Sequence, residues 1–197
     1  EESAPVDRGG VGGRSWAIGP ATARPVSLCE VEATEENRSR TGIGELDRVL
    51  GGGIVPGSLI LLGGDPGIGK STLLLAALEK VARLDPSRPV LYVSGEESLR
   101  QIKLRAHRLD VTSPNLQLLA ETDANRVIQV ANELKPLALA VDSIQTQYLP
   151  ELMSAPGTVS QIREVAARLM QFAKTTEVPT FLVGHVTKDG SIAGPRV

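Results

Sequence analysis

Gly64 to Ser71 is the segment whose residue types and spacing are best suited to chemistry. It reads Gly-Asp-Pro-Gly-Ile-Gly-Lys-Ser and fits the pattern G-x-x-x-x-G-K-[ST], the phosphate-binding P-loop. Its glycines allow the backbone to approach a phosphate closely, and N–H groups at the start of the following helix point towards the anion. Lys70 would place a charge between the β- and γ-phosphates, and the Ser71 hydroxyl would ligate Mg²⁺. The segment therefore predicts a nucleoside triphosphate site.

Asp142 is the first of two carboxylate positions expected beside that loop. It directly follows the apolar run Leu-Ala-Leu-Ala-Val, and a buried strand that ends in aspartate is typical of the Walker B pattern. Its carboxylate would hold Mg²⁺, either through water or together with Ser71. We therefore predict a metal site at Ser71 and Asp142, with a helix-capping or surface aspartate as the alternative.

Glu96 and Glu97 form the second carboxylate position, immediately after the run Leu-Tyr-Val-Ser-Gly. A carboxylate beside a γ-phosphate can orient and deprotonate the attacking water. The residue after Asp142 is Ser143 and not glutamate, so an adjacent Asp-Glu pair cannot supply this base. We predict Glu96 as the base because it is nearer the strand than Glu97. The alternative is a solvated acidic pair at the start of a helix.

His185 follows another apolar run, Thr-Phe-Leu-Val-Gly. A polar side chain at the end of such a strand can sense a γ-phosphate and pass its presence on to the next loop. That loop, residues 186–196, contains two glycines, which permit more than one backbone conformation. We predict a sensor role for His185, and an ordinary capping role is the alternative.

Strands and helices must alternate along the chain to bring these groups together. Short, wholly apolar runs are typical of buried parallel strands, and the amphipathic stretches between them predict helices. The predicted strands begin at Leu59 and then cover residues 90–93, 116–119, 137–141 and 180–183; the predicted helices cover 41–50, 71–84, 98–109, 122–134 and 158–174. This order predicts an α/β fold with a doubly wound, mainly parallel sheet that has helices on both faces. Ligands of such folds bind at the carboxyl ends of the strands.

Four local features refine this prediction. Alternating apolar residues over 25–31 predict an edge strand. Thr122 is expected to cap the helix that follows it, and Thr158 with Gln161 fits a capping box. Leu99 is expected to face inward from its helix.

The domain organisation is predicted from composition. Residues 1–24 are rich in Gly, Pro, Ala, Ser and Arg and predict a flexible N-terminal arm, with the folded core over residues 25–197. A sheet of this kind usually continues beyond a fifth strand. We therefore expect the sequence to be one part of a longer protein.

Charge and cysteine content exclude several classes of partner and site. The net charge of −2 excludes a global basic field, so any nucleic-acid site must be a local patch. Cys29 is the single cysteine of the 197 residues, which excludes an intramolecular disulfide and an all-cysteine zinc site within them. A lone cysteine fits a reducing cytoplasm, where we expect the protein to be. No apolar run approaches the roughly 20 residues of a membrane span, so no membrane partner is expected.

These motifs together resemble the RecA-like ATPases. The P-loop, a following strand that ends before glutamate, a strand that ends in Val-Asp-Ser and a last strand that ends at a polar sensor all match that class. The residues within and around these motifs resemble those of the RadA (Sms) family of bacterial DNA-repair proteins. The matching stretches are long and spread over about residues 27–197: TGIGELDRVLGGGIVPGSLILLGGDPGIGKSTLL, YVSGEES, VDSIQT, SAPGTVSQIRE and HVTKDGSIAGPRV.

The resemblance implies an ATP- and Mg²⁺-dependent motor. It also implies a hexameric helicase that binds single-stranded DNA and acts on branched recombination intermediates. Recombinase and replication proteins are the partners that the resemblance implies. Members of the family also carry an N-terminal four-cysteine zinc finger, a Lys-Asn-Arg-Phe-Gly motif and a Lon-protease-like C-terminal domain, none of which is found in these 197 residues. Zinc is therefore expected only in that finger of the full-length family. The chain resembles the ATPase core alone, whose own hydrolysis could be weak.

Site residues are carried over only where the motifs match. The resemblance implies that Glu96 is the base, with Lys70 and His185 also in the catalytic set. It implies nucleotide binding by Gly64, Asp65, Pro66, Gly67, Ile68, Gly69, Lys70, Ser71 and Thr72. DNA contacts are expected in the loops over residues 148–160 and 187–196. Lys188 and Arg196 are predicted to contact phosphates, and Gln147 or Tyr148 to contact bases, with ordinary surface loops as the alternative.

Two other functions remain open at this point. A RecA-like protein can act as a nucleotide-dependent regulatory switch that self-assembles without moving along DNA. Stimulation of ATP hydrolysis by single-stranded DNA would distinguish a motor from such a switch. A small-molecule kinase also uses a P-loop, but the expected Arg-rich lid over the phosphates has no counterpart after the P-loop here.

Overall fold

The computed structural model describes residue 25, residues 27–30 and residues 38–185. The chain divides into two compact units, Glu1–Thr34 and Glu35–Val197. In the first unit the described residues form a 3-10 turn, Leu28–Glu30, closed by the N–H of Glu30 donating to Ser27 O at 2.9 Å. The edge strand predicted over 25–31 is therefore wrong for these residues, because the local turn takes up the backbone groups. The arm predicted over residues 1–24 lies outside the described residues and stays a prediction.

The second unit alternates strands with helices, as the sequence predicted. Its strands are β1 (Leu59–Gly63), β2 (Val90–Ser94), β3 (Leu116–Ala120), β4 (Leu139–Asp142) and β5 (Thr180–Gly184). Its helices are α1 (Gly44–Val49), α2 (Lys70–Ala82), α3 (Leu99–Arg108), α4 (Ala124–Leu134) and α5 (Val159–Thr176), with a 3-10 turn at Ile144–Thr146. Across the part of the chain that the structure describes, no helix has the length and apolar character to cross a membrane.

The five strands form one sheet in the order β1-β5-β4-β2-β3, and every pair of neighbours is parallel. Because side chains alternate along a strand, β2 sends Tyr92 into one apolar layer and Val93 into the other. Helices α2 and α3 pack in the Tyr92 layer, and α4 and α5 pack in the Val93 layer. The prediction of a doubly wound parallel sheet is confirmed.

The start of α4 differs from the predicted cap. Asp123 is the N-cap, and its carboxylate accepts the N–H of Asn125 at 2.9 Å. Thr122 was expected there, but its carbonyl oxygen accepts the N–H of Tyr148 at 2.9 Å. The backbone at Thr122 is thus paired with another segment, and the cap lies one residue further along the chain.

The start of α5 shows half of the predicted capping box. The Thr158 hydroxyl accepts the N–H of Gln161 at 3.4 Å, as expected. The Gln161 side chain is buried and turns the other way, accepting from Leu149 N at 2.9 Å and donating to Ser154 O at 2.8 Å. Gln161 therefore holds the preceding loop against the helix, since that buried loop backbone needs hydrogen-bond partners.

One inward-facing prediction on α3 is wrong. Leu99 is 44% exposed, whereas Ile102 and Ala106 on the same helix are buried in the Tyr92 layer. Leu99 is the first residue of α3, and burial begins only with the following turn.

Candidate nucleotide-binding site

The carboxyl edge of the sheet carries the four predicted site segments. All strands are parallel, so their carboxyl ends lie at one edge. β1 runs into the P-loop, β2 ends just before Glu96, β4 ends at Asp142, and β5 ends just before His185. Strands β5 and β4 are neighbours in the sheet and lie between the P-loop strand β1 and the Glu96 strand β2. Topology thus gathers residues that are more than a hundred positions apart in the chain.

The P-loop backbone adopts conformations that favour glycine. Gly67 and Gly69 have φ values of +79° and +100°. A Cβ added at either residue would meet nothing within 4 Å, so the backbone angle and not crowding requires glycine here. Gly69 is the N-cap of α2, and no side chain caps that helix. The N–H groups of the first turn of α2 therefore have no side-chain cap and are available to bind an anion such as a phosphate.

Lys70 lies over this loop. Its Nζ donates to the carbonyl oxygens of Gly64 and Asp65, both at 2.8 Å. The same atom lies 3.4 Å from Nδ1 of His185, at the end of β5. The ammonium group is thereby held between the phosphate loop and the predicted sensor.

Glu96 faces the same cluster. Its Oε1 accepts a short hydrogen bond from the hydroxyl of buried Ser143 and lies 3.9 Å from Nε2 of His185. The carboxylate is therefore held at the carboxyl ends of β2, β4 and β5, with Lys70 on the far side of the imidazole.

Glu97 points to different partners although it is adjacent in sequence. Its carboxylate forms a close ion pair with Arg105 of α3, and its N–H donates to the Ser94 hydroxyl at 3.0 Å. This carboxylate is already neutralised by a guanidinium, so it is a poorer candidate for a base than Glu96.

Asp142 is held by an aromatic hydroxyl. The phenol of Tyr92 donates a short hydrogen bond to Oδ2 of Asp142. Burial, together with the negative charge of this carboxylate, raises the pKa of Tyr92 well above its ordinary value. The peptide bond between Asp142 and Ser143 is cis. Asp142 and Ser71 are the oxygen-bearing side chains predicted to hold Mg²⁺, and oxygen ligands suit that ion.

Three residues of this cluster escape motif reasoning. Ser143 was used only to exclude an adjacent glutamate, yet its hydroxyl contacts Glu96. Tyr92 reads as a core residue of a strand. Gln145 donates from Nε2 to the carbonyl oxygen of His185 at 3.2 Å. Only Ser143 had a sequence signal, because a hydroxyl directly after the Walker B aspartate must lie at the same strand end.

The predicted DNA contacts are placed only in part. Tyr148 is partly buried, and its backbone is hydrogen-bonded to Thr122 and to Ala124, the first residue of α4. Gln147 is fully buried and donates to the carbonyl oxygen of Glu121 at 2.9 Å, so its predicted contact with a base is wrong in this conformation. Lys188 and Arg196 lie outside the described residues, and their roles stay predictions.

Comparison with known protein families shows which family the chain belongs to. A family model described as AAA domain matches residues 23–191. The chain belongs to this AAA family. Its sequence is RadA-like. It is 53% identical over 174 residues to the DNA repair protein RadA of Bacillus subtilis, and the match covers 88% of this chain and 38% of that protein.

Two further relatives agree with this match. The DNA repair protein RadA of Halalkalibacterium halodurans is 54% identical over 179 residues, or 91% of this chain and 39% of that protein. The DNA repair protein RadA of Escherichia coli is 49% identical over 182 residues, and this match covers 92% of this chain and 39% of that protein. The chain thus spans well under half the length of these curated relatives.

A solved structure supports the fold. A KaiC-like protein from Pyrococcus horikoshii superposes with a TM-score of 0.62 at 20% identity, covering 77% of this chain and 73% of that one. At this identity the likeness concerns the fold alone. With the parallel sheet and the AAA domain, it confirms the expected RecA-like P-loop α/β fold.

Proposed function

We propose that this chain is the Mg²⁺- and ATP-dependent core of a RecA-like motor that works in DNA repair and recombination. The observation that carries the proposal is the position of Glu96, which faces the P-loop lysine across a single imidazole. A carboxylate, an ammonium group and a phosphate-binding loop at one sheet edge are the groups that hydrolysis of a terminal phosphate requires.

Nucleotide binding is assigned to the P-loop and the first turn of α2, residues 64–72. The backbone N–H groups would hold the phosphates, and the Lys70 ammonium would exchange its present carbonyl partners for phosphate oxygens. Ser71 and Asp142 would hold Mg²⁺, which when bound neutralises charge that develops on the phosphate oxygens.

Glu96 is proposed as the general base. Its Oε1 is fixed by Ser143, so the carboxylate would keep one orientation while it accepts a proton from water. His185 lies between Glu96 and Lys70, where it would respond to a change in charge at either group. We propose it as the sensor that reports the γ-phosphate to the loop following β5.

DNA and oligomer partners are proposed from the relatives' name and the sequence resemblance. We propose single-stranded DNA as the polymer, contacted through Tyr148 and through Lys188 and Arg196. A homo-hexameric ring and helicase action on branched recombination intermediates are proposed for the full-length protein, which would work with recombinase and replication proteins.

The deciding experiment measures ATP hydrolysis with and without single-stranded DNA. It uses this chain and a chimera in which the chain replaces its matched segment in the Bacillus subtilis relative, since that protein supplies the regions outside the match. We expect Mg²⁺-dependent turnover that DNA stimulates in the chimera. Hydrolysis that DNA leaves unchanged would overturn the motor and favour the self-assembling switch.

A further inference from the structure

Tyr92 is a buried aromatic residue with one polar atom in an apolar layer. Its side chain is 1% exposed and packs with the residues of the layer that α2 and α3 share. A buried phenol must find a hydrogen-bond partner, and this one donates to Oδ2 of Asp142. The partner is the carboxylate assigned above to the metal.

The strand register explains how the two side chains meet. Tyr92 of β2 pairs with Ala140 of β4, and Asp142 lies two residues further along β4. Residues two apart on a strand share a face, so Asp142 is the diagonal neighbour of Tyr92. Helix α2 packs on this same face through Leu74 and Leu78, and its first turn contains Ser71. The phenol therefore reaches Asp142 on the face of the sheet that α2 covers.

An aspartate needs such a partner to present one oxygen in a fixed direction. The terminal torsion of aspartate is broad, so a carboxylate without partners rotates readily. A hydrogen bond to Oδ2 restricts that rotation and would leave Oδ1 as the oxygen for the metal or its water. Partners of metal-binding carboxylates act in this way in other sites.

We propose that Tyr92 is a positioning residue that orients the Asp142 carboxylate for Mg²⁺. The inference rests on the proposed function, because it takes Asp142 as the metal residue. Phenylalanine at position 92 would keep the packing and remove only the hydroxyl. Tyr92→Phe should therefore change the response to Mg²⁺ and leave the fold intact.

The test is a Mg²⁺ titration of the binding of a non-hydrolysable ATP analogue to the 197-residue chain, followed by calorimetry. In Tyr92→Phe we expect the half-saturating Mg²⁺ concentration to rise roughly tenfold or more, the scale for loss of an outer-shell partner. Binding of the analogue without Mg²⁺ should stay unchanged. The matched control is Thr180→Val, which removes a different buried hydroxyl at the opposite end of the sheet and should not alter the Mg²⁺ response.

A double-mutant comparison separates positioning from general destabilisation. If Tyr92 acts through Asp142, Tyr92→Phe should have no further effect on the Mg²⁺ response in an Asp142→Asn background. Circular dichroism and the melting temperature verify that each variant folds. If Tyr92→Phe leaves the Mg²⁺ response unchanged in the otherwise wild-type chain, the positioning role is overturned. It is also overturned if Tyr92→Phe shifts the Mg²⁺ response equally in the wild-type and Asp142→Asn backgrounds. Neither result would overturn the proposed function. A wild-type chain that binds the analogue equally well with and without Mg²⁺ would overturn the proposed function and this inference with it.

Discussion

The Nε2 atom of His185 lies 3.9 Å from Oε1 of Glu96. The other ring nitrogen of the same imidazole lies 3.4 Å from Nζ of Lys70. One side chain thus contacts both the proposed base and the phosphate-loop cation. A change in the charge around Lys70 therefore acts on a ring that also faces Glu96, because both distances are short and the His185 side chain is only 29% exposed.

Replacing the proposed base should separate binding from hydrolysis. Glu96→Gln is expected to keep nucleotide affinity and to lower turnover by roughly 100-fold or more, the scale of a lost general base. Glu97→Gln is the matched control, since that carboxylate pairs with Arg105, and it should have a smaller effect. Steady-state ATPase assays on the chimera measure both. If Glu97→Gln is the more severe change, the base is wrongly assigned.

Removing the P-loop ammonium should weaken nucleotide binding. Lys70→Ala deletes the charge held by Gly64 and Asp65 over the phosphate loop, so calorimetry should find a much weaker affinity for ADP or ATP with Mg²⁺. Lys174→Ala, an exposed lysine in the last turn of α5, serves as the control. Equal affinity in Lys70→Ala and wild type would contradict the nucleotide site.

Replacing the proposed sensor should uncouple nucleotide from DNA. His185→Ala is expected to change nucleotide affinity by no more than about 1 kcal/mol, the net value of one hydrogen bond. It should abolish the gain in single-stranded DNA affinity produced by a non-hydrolysable ATP analogue relative to ADP. Fluorescence anisotropy on the chimera measures that difference. If His185→Ala keeps this difference in DNA affinity, the sensor role is wrong and the histidine is structural.

A salt series on the same DNA-binding assay tests Lys188. Lys188→Ala should weaken DNA binding in both nucleotide states and reduce the salt slope by about one unit, as for one lost phosphate contact. An unchanged slope would remove Lys188 from the DNA site.

Buried Glu79 on α2 should make stability depend on pH. Burial opposes its ionisation, but the N–H of Ser113 and the Arg83 side chain outweigh burial and hold the pKa of Glu79 below its ordinary 4.5. A folded-state pKa lower than the unfolded one stabilises the fold above the unfolded value, and the stabilisation is lost as pH falls through the folded value. Glu79→Gln should therefore cost about 1–3 kcal/mol at pH 7, and much less under acid conditions.

Urea unfolding across a pH series measures this effect. Exposed Glu133→Gln on α4 is the control and should differ little from wild type at any pH. A Glu79→Gln penalty that does not shrink towards acid pH would contradict the ionic role of Glu79.

Gly95, between β2 and Glu96, should not tolerate a side chain. A Cβ added there would overlap the Thr146 hydroxyl and lie 2.7 Å from Thr146 Cβ and 3.0 Å from Thr122 Cγ2. Gly95→Ala should therefore cost about 1–3 kcal/mol, the usual range for overpacking. Gly44→Ala in α1 is the control, because a Cβ there meets nothing within 4 Å. Melting temperatures measure both, and equal stability of the two variants would contradict the close approach at Gly95.

Local patterns made the fold and the P-loop predictable. Short apolar runs and amphipathic stretches identified all five strands, because burial on both faces leaves a continuous apolar signal. The cap of α4 was missed because Thr122 pairs with Tyr148, a contact that neighbouring residues do not reveal. Gln161 was expected to close its own helix end but holds the distant Leu149 backbone.

The sequence by itself determined the phosphate loop, since Gly64–Ser71 are contiguous and act through backbone and side chains within one turn. It also determined that Glu96, Asp142 and His185 stand at strand ends. Only the tertiary structure decided that Glu97 pairs with Arg105 while Glu96 turns to Ser143 and His185. It alone brought the Tyr92 hydroxyl to Asp142. These contacts depend on parallel strand register and helix packing, which join side chains 8 to 89 positions apart and leave no local pattern in the chain.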